Sequence, residues 1–227
     1  MYTRKLIKHE ILELINNPAI LVVILLPVFM SKVITATMKM AEVEFLLLSM
    51  WIVFAQLMVG IMLIAPDILE ERDGKTLDAL LCTPLTIRQI ITAKGVTIFI
   101  LSLFSQLSVF IINRGFDLKV FTVLVPIIIG GIIFLEIGII IGFKVSSSKN
   151  GTVVASVVMV SLFLVVSVYA TLPEWTYYIF ILIPSIEITE VINHVMEGKG
   201  IFMIESLYSF LWIILLGAWI TKLGKKY

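Results

Sequence analysis

The sequence is poor in the residues that most intracellular chemistry needs. It has one cysteine, Cys82, and two histidines, His9 and His194, in 227 residues. A single cysteine excludes an internal disulfide and any metal site built on several thiolates. Two histidines fixed far apart in the chain leave no His-Glu-x-x-His helix and no Gly-x-Ser-x-Gly turn with its histidine partner. Lys and Arg total 17 against 16 Asp and Glu, a formal net charge of +1, so bulk charge points to no nucleic-acid partner. The string Gly74-Lys75-Thr76 resembles the end of a phosphate-binding loop. That loop needs a glycine five positions earlier, where Leu69 stands, and a strand leading into it. The chain therefore carries no nucleotide-hydrolysing motif, and no catalytic residue or cofactor is expected.

Apolar residues are abundant. They make up 60% of the chain, and the mean hydropathy is +1.11. A bilayer core takes about 20 apolar residues in a helix. Six runs qualify: 18–37, 45–66, 94–113, 120–143, 151–170 and 201–221. Each must be helical, because an open strand leaves its backbone groups unpaired in lipid. The fold class expected is thus all-α and integral to the membrane, as one transmembrane domain over 1–227. The first run lacks a small-residue cleavage pattern and reads as a retained span.

Lys and Arg set the sidedness. With the N-terminus inside, the inner segments hold Arg4, Lys5, Lys8, Arg72, Lys75, Arg88, Lys94, Lys144, Lys149, Lys222, Lys225 and Lys226. The outer loops hold only Lys39, Arg114, Lys119 and Lys199, and Lys32 lies in the first span, placed to snorkel outward. The bias puts both termini in the cytoplasm of a multi-pass protein of the cell membrane.

Three pieces do not span. Residues 1–17 are amphipathic, with Ile7, Ile11, Leu14 and Ile15 on one face and Glu10 and Glu13 off it. They read as an interfacial helix on the inner leaflet or as an elbow that also touches a partner. Residues 172–200 read as an outer hairpin, partly re-entrant, over the outer mouth. In it Tyr177–Ile183 is too short to cross. A helix follows with Ile188, Val191, Ile192, Val195 and Met196 on its apolar face and Glu187, Glu190, His194 and Glu197 off that face. The third piece is the charged island at 67–93. There Gly74 is placed to close the preceding helix in a left-handed conformation. Thr76 caps a short helix with a stripe of Leu77, Leu80 and Leu81, which Pro84 ends. Thr86 and Gln89 form a capping box that starts the third span. The short helix either lies against headgroups or plugs into another subunit.

Glu136 is the one acid deep in a span. A charge at mid-span costs about 3 kcal/mol, which the many Ile, Leu and Phe residues around it offset. It reads either as a translocation-path or interface residue, or as a protonated acid bonded to Gln56, Gln106 or a serine. Gly130, Gly131, Gly138 and Gly142 give the same span small faces for close helix packing.

The string Glu70-Glu71-Arg72-Asp73-Gly74-Lys75-Thr76-Leu77-Asp78-Ala79-Leu80-Leu81-Cys82-Thr83-Pro84 resembles the cytoplasmic loop of type 2 ATP-binding-cassette (ABC) exporter permeases. Residues 13–18 (ELINNP), 146–150 (SSSKN) and 184–198 resemble other parts of that family in order. Lys75 departs from it, standing where many members have glycine. The resemblance implies a transport subunit that forms the translocation path without catalysis of its own. It implies two copies of a cytoplasmic ABC ATPase as partners, and a second permease subunit, either identical or a related chain. It also implies that Thr76–Thr83 is a coupling helix, with Glu70, Glu71, Arg72, Gly74, Thr76, Leu77, Leu80, Leu81, Thr83 and Pro84 as coupling residues. Members carry drugs, peptides, lipids, glycans or haem, and a haem-exporter permease subunit is one alternative, although no span here has a histidine. The residues alone leave open an ion-gradient-driven transporter working through Glu136, and a membrane scaffold that recruits a regulator.

Overall fold

The computed structural model describes residues 2–37, 44–74, 86–169, 171–201 and 203–224. All regular structure among them is helical. Helix α1 spans Tyr2–Asn16, α2 Pro18–Thr37, α3 Glu44–Met62, α4 Ile64–Asp73, α5 Ile87–Arg114, α6 Lys119–Lys144 and α7 Ser148–Tyr169. A 3-10 turn at Glu174–Thr176 leads into α8 (Tyr177–Phe180), α9 (Pro184–Met196) and α10 (Ile204–Leu223). Six segments are long and apolar enough to cross a membrane, and they correspond to the six runs in the sequence.

Their ends follow from local chemistry. Asn17 caps α2 by accepting from the Ala19 N–H at 3.0 Å, and Pro18 fills the first helical position, where no N–H is needed. The second span is two helices in line, α3 and α4. Pro66 has no N–H to bond the Met62 carbonyl, and α3 stops there. The third span begins at Ile87, seven residues before the apolar run alone would start it. The Thr86–Gln89 capping box is formed, with Thr86 N–H donating to Gln89 Oε1 at 2.9 Å.

Helices α3 and α6 form the centre, where glycine allows backbone to approach backbone. A Cβ on Gly138 would sit 2.3 Å from Ile64 Cγ2 and 2.7 Å from the Gly60 carbonyl oxygen. Helices α2, α7 and α10 are peripheral. They expose apolar faces such as Leu21, Val22 and Phe29 on α2, the surface that lipid or another subunit would cover.

Three expectations need correction. Gly74 is not left-handed: its φ is −76° and ψ −3°, and its N–H bonds the Glu70 carbonyl at 2.8 Å, so it continues the last turn of α4. Glu10 does not lie off the packed face of α1. Residues 7, 10, 11 and 14 form that face, Glu10 is buried, and Ile15 points away. Helix α9 is not packed on its apolar face alone, with Glu187 outside that packing. It is inserted among α3, α6, α7 and α10, and Glu187 is 0% exposed. A single apolar face on the helical wheel assumes one packed side, and α9 has neighbours on several sides.

Candidate functional site

A set of charged groups lies along α4, from Asp67 in its first turn to Asp73 at its end. Asp67 and Glu71 lie four residues apart, so they share one face of the helix. Lys94, buried in the second turn of α5, points at that face. Its Nζ is 2.9 Å from Asp67 Oδ2, 3.0 Å from Glu71 Oε1 and 3.1 Å from Glu10 Oε1. One ammonium thus joins α1, α4 and α5. Burial raises the Glu10 carboxyl above the usual range, and the Lys94 charge opposes that shift. An ion cluster withdrawn from water persists only where its geometry is close and its members are mutually bonded, as here.

The next two residues tie α4 to the turn between α6 and α7. Arg72 Nη1 donates to the carbonyls of Gly142 (2.8 Å), Val145 (3.1 Å) and Phe143 (3.3 Å). These belong to the C-terminus of α6, whose last carbonyls have no partner within the helix and whose dipole favours a cation. Asp73 Oδ2 accepts from the Ser148 N–H at 2.6 Å, and so caps the start of α7 with the opposite charge. Adjacent residues thus neutralise the end of one helix and the beginning of the next.

Both flanks of the island are therefore anchored, one by Glu71, Arg72 and Asp73 and the other by the Thr86 cap. Of the residues expected to couple to a partner, the described ones are Glu70, Glu71, Arg72 and Gly74. Glu70 and Gly74 are exposed. Thr76, Leu77, Leu80, Leu81, Thr83 and Pro84 lie outside the described residues, as do Lys75, Asp78 and Cys82.

Glu136 stands alone in mid-bundle. It does not bond to Gln56 or Gln106, which bond each other instead. Gln56 Nε2 donates to Gln106 Oε1 at 2.9 Å, and Gln106 Nε2 to the Ser102 hydroxyl at 2.7 Å, all three side chains fully buried. Glu136 faces α10 at Gly217, where a Cβ would be 3.1 Å from its Oε1. Its Oε2 is buried with no partner among the described residues. Lys32 donates to the Ile112 carbonyl of α5 at 3.0 Å.

Sequence reasoning missed Lys94, which it counted only as one more inner cation. Lys94 opens the apolar run at 94–113, so the sequence alone places it at the boundary; the start of α5 at Ile87 puts it inside the helix, where it has to be paired. The glutamine pair did carry a signal, since amides inside spans have to find partners.

One family model, described as fluoroquinolones export permease protein Rv2686c-like, matches residues 11–220. No curated protein matches the chain.

Proposed function

Since the match covers nearly its whole length, the chain belongs to the Rv2686c-like family of export permeases, and from that premise we propose that it is the membrane half of an ABC exporter driven by a separate cytoplasmic ATPase. Two permease halves, identical or related, would enclose the path and engage two ATPase copies. Both termini and the island at 67–93 would face the cytoplasm of the cell membrane. Thr76–Thr83 would be the coupling helix, its Leu77, Leu80 and Leu81 edge seated in a groove of the ATPase. The family description names fluoroquinolones, which makes them the first cargo to test.

The observation that carries this reading is the anchoring of the last turn of α4. A lever works only if its base is stiff. A push on residues 75–85 would reach α1 and α5 through Lys94, and α6 and α7 through Arg72 and Asp73. For the push to do work, the permease must contact each ATPase state differently.

The test is co-purification with the ATPase encoded beside the gene. Wild type should hold the ATPase and stimulate its turnover, and Leu80→Asp should lose both. Unchanged association in the variant would remove the coupling helix. Cargo movement by the chain alone, with no ATP consumed, would remove the whole proposal.

A further inference from the structure

The opposite end of the bundle holds a second set of acids that the coupling reading does not use. There α8, α9 and the first turn of α10 surround an open cavity of about 500 Å³. Tyr169, Trp175, Tyr177 and Tyr178 line one part of it, and Glu190 and Glu205 another. Glu205 is only 4% exposed and accepts from the Tyr177 hydroxyl, while Glu190 accepts from the Tyr169 hydroxyl. Glu187, one turn before Glu190 on α9, is 0% exposed. Ser209 donates to its Oε2 at 3.4 Å, and its Oε1 has no partner among the described residues. The field of Glu205 acts on both Glu187 and Glu190.

Matching cations are few among the described residues of this end, where His194 is the basic group whose field reaches Glu190. Among the described residues no Lys or Arg pairs with Glu187, Glu190 or Glu205. The nearby basic groups are engaged elsewhere: Lys119 donates to the Met196 carbonyl, Lys199 pairs with Glu197 at 2.6 Å, and Arg114 lies over the Phe45 ring. The imidazole Nδ1 of His194, which also lines the cavity, has no hydrogen-bond partner among the described residues. The described residues include no group of three His, Cys, Asp or Glu disposed to hold a metal ion. Carboxylates out of water call for a counter-charge, and the faces of aromatic rings are electronegative too. Both attract a cation, and the rings favour one whose bulk is organic. The cavity volume falls in the range of small-molecule sites. Its mouth is open, with Tyr178 81% exposed.

We propose that this vestibule binds an organic ammonium ion, its apolar body on the rings of Tyr177, Tyr178 and Trp175 and its charge on Glu190 and Glu205. The chemistry needs only this chain. That the ion is exported cargo rests on the proposed function.

The test uses the full chain in phosphatidylcholine nanodiscs, which offer no anionic lipid. The probe is ethidium, read by fluorescence and displaced with benzyltrimethylammonium. Wild type should bind saturably. The double variant Glu190→Gln, Glu205→Gln should bind at least tenfold more weakly, and Glu197→Gln, on the exposed end of α9, should stay within twofold. Tyr178→Leu keeps apolar area at an exposed position and removes the ring. It should weaken binding about two- to fivefold, the size of an exposed cation–π contact, and it decides the matter if the double variant does not fold. The neutral isostere neopentylbenzene should fail to displace the probe. Absence of saturable binding, unchanged affinity in the variants that fold, or equal displacement by the isostere would each overturn the site. None of these results bears on ATPase association, which tests the export reading separately.

Discussion

Lys94 Nζ lies 3.1 Å from Glu10 Oε1, bridging residues 84 positions apart and fastening the first helix to the third span. Removing the ammonium strands three carboxylates in a place withdrawn from water. Breaking one partner of a buried ion cluster costs about 3–5 kcal/mol. Lys94→Met should therefore lower the unfolding temperature sharply in detergent, as read by tryptophan fluorescence. Glu10→Gln leaves Asp67 and Glu71 on the ammonium and still offers an amide oxygen, so its loss should stay near 1 kcal/mol. Equal effects from the two variants would show that the lysine is not the hub.

Arg72 makes a different prediction, because it closes the end of a helix. Arg72→Met leaves the Gly142, Phe143 and Val145 carbonyls without their donor, at a cost of about 1–3 kcal/mol. More tellingly, α4 then slips relative to α6. ATP turnover by the assembled complex should persist while drug accumulation in inverted vesicles falls several-fold. Arg72→Lys keeps the charge but not the planar fork, and should lie between. Parallel loss of turnover and transport would mean that the contact holds the ATPase rather than transmitting its stroke.

The six spans could be read from the sequence because length and apolarity suffice to define a membrane helix. The Thr86–Gln89 cap was legible because it is local, set by two residues three apart. What could not be read was partnership across long separations. Lys94 looked like an inner cation until α1 and α4 came to lie beside it. Glu187 falls off the apolar face because a helical wheel shows one packed side, whereas α9 has neighbours on several sides. Gly74 was assigned a left-handed cap on composition. Its φ of −76° shows a right-handed residue whose N–H bonds the Glu70 carbonyl and prolongs the last turn.

Glycines in the bundle divide into two kinds. At Gly138 an added methyl would meet the Gly60 carbonyl at 2.7 Å and the Ile64 side chain at 2.3 Å, and the backbone has nowhere to retreat. Gly138→Ala should cost about 1–3 kcal/mol by overpacking. At Gly217 the neighbour within reach among the described residues is Glu136 Oε1 at 3.1 Å, the tip of a flexible side chain. Gly217→Ala should be nearly neutral in thermal unfolding. The pair tests how tightly α3 and α6 are joined at the centre.

Glu187 gives the alkaline limit of stability. Burial is the main cause that lifts its carboxyl to about 8, Glu205 adds to the shift, and the Ser209 hydroxyl opposes it. A carboxyl raised in the fold binds its proton more tightly there than in the unfolded chain. Its contribution is therefore fully present below the unfolded value of 4.5 and is lost as the pH rises through 8. Wild type should lose unfolding temperature between pH 6 and pH 9 relative to Glu187→Gln, whose amide does not titrate. Parallel pH profiles for the two would show that Glu187 titrates as an ordinary surface acid.

Glu136 separates an ATP-driven exporter from an ion-driven one. It faces Gly217 on α10 with Oε2 unpartnered among the described residues, so it is an acid deep in a span that is available to exchange an ion during transport. An ion-coupled carrier would lose transport in Glu136→Gln, and its wild type would run on a proton or sodium gradient without ATP. An ABC exporter keeps its energy source on another subunit, so the substitution can alter affinity for cargo but not the source of drive. In proteoliposomes with the ATPase, Glu136→Gln should still transport on ATP, within about tenfold of wild type, and dissipating the ion gradients should change neither protein. Transport that collapses with the gradient in wild type and is absent from the variant would assign the work to this carboxylate and leave the loop at 67–93 without a stroke to transmit.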